Sequence, residues 1–178
     1  MPDQTSPNRE QRTSTDEFVA VHHRTRIGHI HLKVSDLARS IAFYRDAFGF
    51  ELQQRMGDSA AFLSAGGYHH HIGLNTWESR GGPPAPRGTT GLYHFAILYP
   101  DRRELARALK RLLDHGVAID GASDHGVSEA IYLHDLDGNG IEIYRDRDPA
   151  EWPRTPDGKL AMDGRPLDFD GLLRELEA

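Results

Sequence analysis

The sequence predicts an α+β protein made of two βαβββ repeats, whose mixed sheets join into one curved, cup-like surface. Three observations carry this. The chain passes twice from a strand-like alternation to a helical period and then to three short strand-like runs. Each repeat opens on a histidine, His29 or His94, seven residues before an aspartate suited to cap a helix, Asp36 or Asp101. A helix-stopping glycine follows at a similar distance in both, Gly49 and Gly116.

Residues 1–24 are rich in Pro, Ser, Thr, Gln and charge, lack an apolar period, and read as a disordered or loosely draped arm. Residues 27–34 alternate, with Ile30, Leu32 and Val34 on one face and His29, His31 and Lys33 on the other. That is the pattern of a half-buried strand. Leu37, Ile41, Tyr44 and Phe48 recur at helical spacing as far as Gly49. Strands are expected at 50–56, 60–64 and 69–77, before a Gly- and Pro-rich loop over 78–91. The second repeat offers a strand at 92–98, a helix carrying Leu105, Leu109, Leu112 and Leu113, and strands at 117–119, 129–134 and 140–145. The domain so defined covers 25–148, with repeats at 26–77 and 91–146. A C-terminal extension, 149–178, ends in a short amphipathic helix at 169–176.

Composition narrows the function. No apolar run is long enough to span a bilayer, and the first residues lack an apolar signal core, so a cytoplasmic protein is expected. A net charge of −6 argues against a nucleic-acid partner. With no cysteine and 11 histidines, imidazole and carboxylate are the only strong metal ligands on offer.

The repeated strand histidines, His29 and His94, are the first candidate metal ligands. Pseudo-twofold repeats would bring their first strands together and place both imidazoles in the cup. His31 shares the face of His29, and only the repeat register favours His29. Glu142 stands between Ile141 and Ile143, so it faces away from the core, where a buried carboxylate must be paired or metal-bound. Two histidines and one carboxylate leave positions open for a substrate and O2, which suits Fe(II), and Mn(II) or another divalent metal would also accept them. Tyr132, between Ile131 and Leu133, follows the logic of Glu142. His125 lies in a loop between strands, and His69-His70-His71 is either a polar cluster or a weak metal site. Residues 135–140 resemble the start of a calcium loop, but their strand-like flanks favour a hairpin turn.

His29-x-x-Leu32-x-Val34-x-Asp36-Leu37, with Ser40 and Phe43-Tyr44, resembles the opening of the vicinal oxygen chelate superfamily. Gly91-Leu92-Tyr93-His94-Phe95-Ala96, Gly121-Ala122-Ser123-Asp124-His125 and Asp137-Gly138-Asn139-Gly140-Ile141-Glu142-Ile143-Tyr144 are similar to the catechol 2,3-dioxygenase group of extradiol enzymes. The resemblance covers about residues 26–152. It implies iron ligands at His29, His94 and Glu142, an acid–base histidine facing O2 at His70, and substrate-orienting groups at His125 and Tyr132. The implied partners are an aromatic diol and O2. Many ring-cleaving relatives carry two such modules and this chain has one, which implies a homo-oligomer, a dimer or larger, with part of the substrate wall from a second subunit. Rivals within the same superfamily are a glyoxalase-like lyase and a thiol transferase acting on an antibiotic. A third rival is a non-catalytic binding protein, which would need no oxygen-side histidine. The lyase arrangement adds a first-repeat glutamate that residues 70–75 do not supply.

Overall fold

Both repeats form as βαβββ units in the computed structural model, which describes residues 18–177. In the first, β1 (Ile30–Lys33) leads to α1 (Leu37–Ala42), β2 (Glu51–Met56), β3 (Ala60–Ser64) and β4 (Ile72–Asn75). In the second, β5 (Phe95–Leu98) leads to α2 (Arg102–Asp114), β6 (Gly121–Asp124), β7 (Ser128–His134) and β8 (Gly140–Asp146). Most of the expected N-terminal arm, residues 1–17, lies outside the described residues, and residues 18–24 are exposed with neither helix nor strand.

The helices start where their aspartates dictate. Asp36 accepts the Arg39 N–H and Asp101 accepts the Glu104 N–H, satisfying donors that a helix leaves free at its start. The first helix does not run on to Gly49 as one α-helix. It passes into a π turn, Phe43–Ala47, in which Tyr44 is fully buried. The second ends as a six-residue closure, in which the Val117 N–H donates to the Leu112 carbonyl. Val117 is thus committed to the helix end, and the strand expected at 117–119 appears instead as β6.

The sheets run β1-β4-β3-β2 and β5-β8-β7-β6, each with one parallel and two antiparallel pairs. A strand exists only where it has a partner, which trims β1, β4 and β5 by three residues at their starts relative to the sequence pattern. No ladder joins β1 to β5 among the described residues. A cavity of about 540 Å³ lies between them, lined by His29, Ile30, Phe95 and Leu98 among others. The two sheets are united by one apolar core, to which Leu63, Leu74, Leu109, Ile131 and Ile143 all belong.

The repeats are also locked by polar contacts. The β7–β8 turn, a hairpin as its flanks foretold, places Asp137 against Ser35 (2.5 Å) and Arg39 (2.7 Å) of the first repeat. Asp135 beside it accepts from its own loop, through the N–H groups of Asp137 and Asn139 and the Asn139 amide, and from Tyr44 at 2.8 Å. The C-terminal extension ends in α3 (Phe169–Arg174), whose Leu172 is buried and which packs on α2. Arg102 clamps it through the Gly171 carbonyl and Glu175. No helix among the described residues is long and apolar enough to cross a membrane.

Candidate active site

The ladder of the second sheet sets three residues side by side. Ala96 of β5 pairs with Glu142 of β8, and Glu142 pairs with Tyr132 of β7. Ile141, Ile143, Ile131 and Leu133 point into the core, so Glu142 and Tyr132 emerge together on the opposite face. His94 lies just ahead of β5, two residues before Ala96, and so reaches the same face. A side chain at Gly140 would strike the Tyr93 carbonyl and His94, so its absence lets β8 come close beneath the histidine. The His94 Nε2 lies 2.9 Å from Glu142 Oε2.

Tyr132 stands next in the row, 3.4 Å from Glu142 Oε1. Burial, then the neighbouring Glu142 charge, pushes its phenol up to about 12. It is therefore a hydroxyl donor at neutral pH. His125 Nε2 lies 2.7 Å from the same oxygen. On its other side the ring meets the Asp163 carbonyl through Nδ1 at 2.8 Å. Asp163 is a contact that no sequence pattern signals, because it acts through its backbone from 38 residues away.

The first repeat gathers a different group. His29 stacks on His70 with ring centroids 4.3 Å apart, and His70 meets the edge of Phe62 at 5.0 Å. His69 Nδ1 lies 2.7 Å from His70 Nδ1. Residues 69–71 precede β4, so strand alternation does not govern them and His70 is free to turn toward His29. Burial and the surrounding histidines, His29 first, hold the His70 imidazole below its ordinary range, so it is neutral at physiological pH. His31 packs instead against Phe62 and Trp77.

Four of the six sequence-derived site residues thus meet in the second repeat: His94, Glu142, Tyr132 and His125. The other two, His29 and His70, meet each other in the first. Among the described residues no group of three or more His, Asp or Glu side chains is placed to hold a metal within one chain.

A family model described as Glyoxalase/Bleomycin resistance protein/Dioxygenase superfamily matches residues 26–143. Over 158 residues the chain is 46% identical to a Bacillus subtilis (strain 168) protein named catechol-2,3-dioxygenase, covering 89% of this chain and 54% of that one. Over 135 residues it is 29% identical to a protein from Geobacillus genomosp. 3 named manganese-dependent 2,3-dihydroxybiphenyl 1,2-dioxygenase, covering 75% and 40%. The chain therefore spans about half the length of the curated relatives it matches. A glyoxalase/dioxygenase structure from Nostoc punctiforme aligns with a TM-score of 0.59 at 22% identity, over 76% of this chain and 100% of that one, a likeness of fold.

Proposed function

Because the chain belongs to the glyoxalase/bleomycin resistance protein/dioxygenase superfamily, we propose that it is an extradiol ring-cleaving dioxygenase acting on a catechol-type aromatic diol. The observation that carries this reading is the row His94–Glu142–Tyr132–His125 on one sheet face. A lone metal-binding pair would not need the phenol and second imidazole that continue it.

His94 and Glu142 would hold a divalent metal, with His29 as third ligand. The donor chemistry fits: two imidazoles and one carboxylate, with sites left for substrate, favour Fe(II), and the manganese-dependent relative makes Mn(II) the second choice. When bound, the metal supplies Lewis acidity that eases loss of the diol protons and brings diol and O2 together. Tyr132 would hydrogen-bond a diol oxygen, and His125 would orient that phenol by holding its hydroxyl. His70, neutral and next to His29, would take a proton on the oxygen side and return it to the opening ring.

Among the described residues His29, His94 and Glu142 do not form one ligand group, so the active species in this reading is a homo-oligomer in which a second copy would bring the missing histidine. Both sheets leave the surfaces for it. Among the described residues β1 and β5 are edges paired on one side alone, every residue of β2 is exposed, and Tyr93 stands in solvent beside His94. The lyase reading fares worse, because Gly73 occupies the register position that Glu142 holds in the second repeat. Protein loaded anaerobically with Fe(II) should turn catechol into a yellow ring-fission product on admission of air. Failure to consume O2 with any of a panel of substituted catechols, with iron shown bound, would sink the proposal.

A further inference from the structure

The His125 ring is gripped from outside the sheet. Asp124 of β6 and Arg165 of the extension form an antiparallel bridge, exchanging N–H to carbonyl bonds of 2.8 and 2.9 Å. Arg147 holds the Asp124 carboxylate at 2.9 Å. Gly126, at φ +75°, lies so close to Pro153 that a Cβ there would sit 2.9 Å from the proline ring. The loop bearing His125 is therefore sandwiched between its own sheet and a strap made by the C-terminal extension. Leu167 and Leu172, both buried, anchor the far end of that strap in the core.

A backbone carbonyl can only accept a hydrogen bond. The 2.8 Å contact from His125 Nδ1 to the Asp163 carbonyl therefore requires a proton on Nδ1. In the neutral ring Nε2 is then an acceptor, and it lies 2.7 Å from the Tyr132 hydroxyl. Tyr132 has one proton to give. It goes to His125 rather than along the longer 3.4 Å path to Glu142.

We propose that the C-terminal extension is a positioning element that fixes the His125 tautomer: the Asp163 carbonyl holds the proton on Nδ1 and turns Nε2 toward the Tyr132 hydroxyl. Two consequences follow for the row of site residues. Glu142 keeps its oxygens free of a phenol donor, and the Tyr132 oxygen keeps a lone pair turned to the cup, where a diol hydroxyl can donate to it. These catalytic consequences rest on the dioxygenase reading, whereas the tautomer does not.

The test reads the tautomer directly, without metal or substrate. Long-range ring 1H–15N spectra of the full chain at mildly alkaline pH report which nitrogen of each histidine is protonated, and the signals lost in His125→Gln identify His125. The wild-type spectrum should show the proton on Nδ1. Tyr132→Phe removes the partner of Nε2 and should leave the proton on Nδ1, because the strap sets it. Arg165→Pro deletes the N–H that binds Asp124 and should release the ring to the Nε2–H form, with circular dichroism unchanged. A wild-type proton on Nε2 overturns the proposal. So does a switch to Nε2–H in Tyr132→Phe, or an unaltered tautomer in a folded Arg165→Pro. If Arg165→Pro does not fold, the first two spectra decide.

Discussion

The two repeats share one strand order and carry different chemistry on the same face. Reading across the first sheet, the paired row is His31, Gly73, Phe62 and Gln54. The matching row in the second is Ala96, Glu142, Tyr132 and Gly121. A carboxylate beside a phenol thus stands where the first repeat has a glycine beside a phenylalanine. In the first repeat His29 and His31 meet other rings, His70 and Phe62, while beside the second row His94 lies 2.9 Å from Glu142. The difference teaches that a duplicated fold need not carry the same side chains twice. It makes a carboxylate-bearing half and an imidazole-bearing half, and the proposed chemistry needs one of each.

Removing the acid is the largest test of that asymmetry. Glu142→Ala should weaken binding of Fe(II) or Mn(II), measured by calorimetry and metal analysis, by about 100-fold or more, beyond the loss typical of an outer-shell group. Equal affinity in the variant would show that the halves are not unequal in the way proposed. The next test asks whether the halves come from two chains. His29→Ala and Glu142→Ala should each be inactive alone. After mixing and reassembly, half of the dimers pair one variant with the other, and half of the sites in those are intact. Recovery of about a quarter of wild-type turnover is therefore expected for a twofold assembly. No recovery, with mixed dimers shown by mass, would place all three ligands in one chain.

Much of this contrast was legible in the residues. The repeat register picked out His29 and His94, and alternation about Ile141–Ile143 and Ile131–Leu133 turned Glu142 and Tyr132 out of the core, as the ladders do. The helix caps at Asp36 and Asp101 were equally local signals. What could not be read was anything set by partners distant in sequence. The strands begin where their neighbours begin, no ladder joins the two sheets among the described residues, and His70, lying outside the strand, turns toward His29. The strap over His125 works through a carbonyl, which every residue has, so its sequence carries no mark.

Within the imidazole half, His70→Ala should retain the metal and lower kcat by roughly 100- to 10,000-fold, the range of a general acid–base group. Steady-state rates alongside metal analysis separate the two effects. Full turnover in this variant would remove His70 from the chemistry and leave the first repeat with a binding role alone.

The smallest effect concerns what holds the halves in register. Tyr44 of the first repeat donates to Asp135 of the second, and burial, followed by the Asp135 charge and hydrogen bond, holds its phenol well above the ordinary value near 10. Asp135 retains three donors of its own loop without it, so Tyr44→Phe should cost only about 1–2 kcal/mol in a denaturant titration at neutral pH. The sign of the pH effect follows from linkage. Above pH 10 the unfolded chain loses the Tyr44 proton while the folded one keeps it, so stability is full below that pH and falls as pH rises above it. Tyr44→Phe should flatten that alkaline decline. An unchanged alkaline slope together with no cost at neutral pH would mean that the repeats are joined by their apolar core, with no energetic help from this contact.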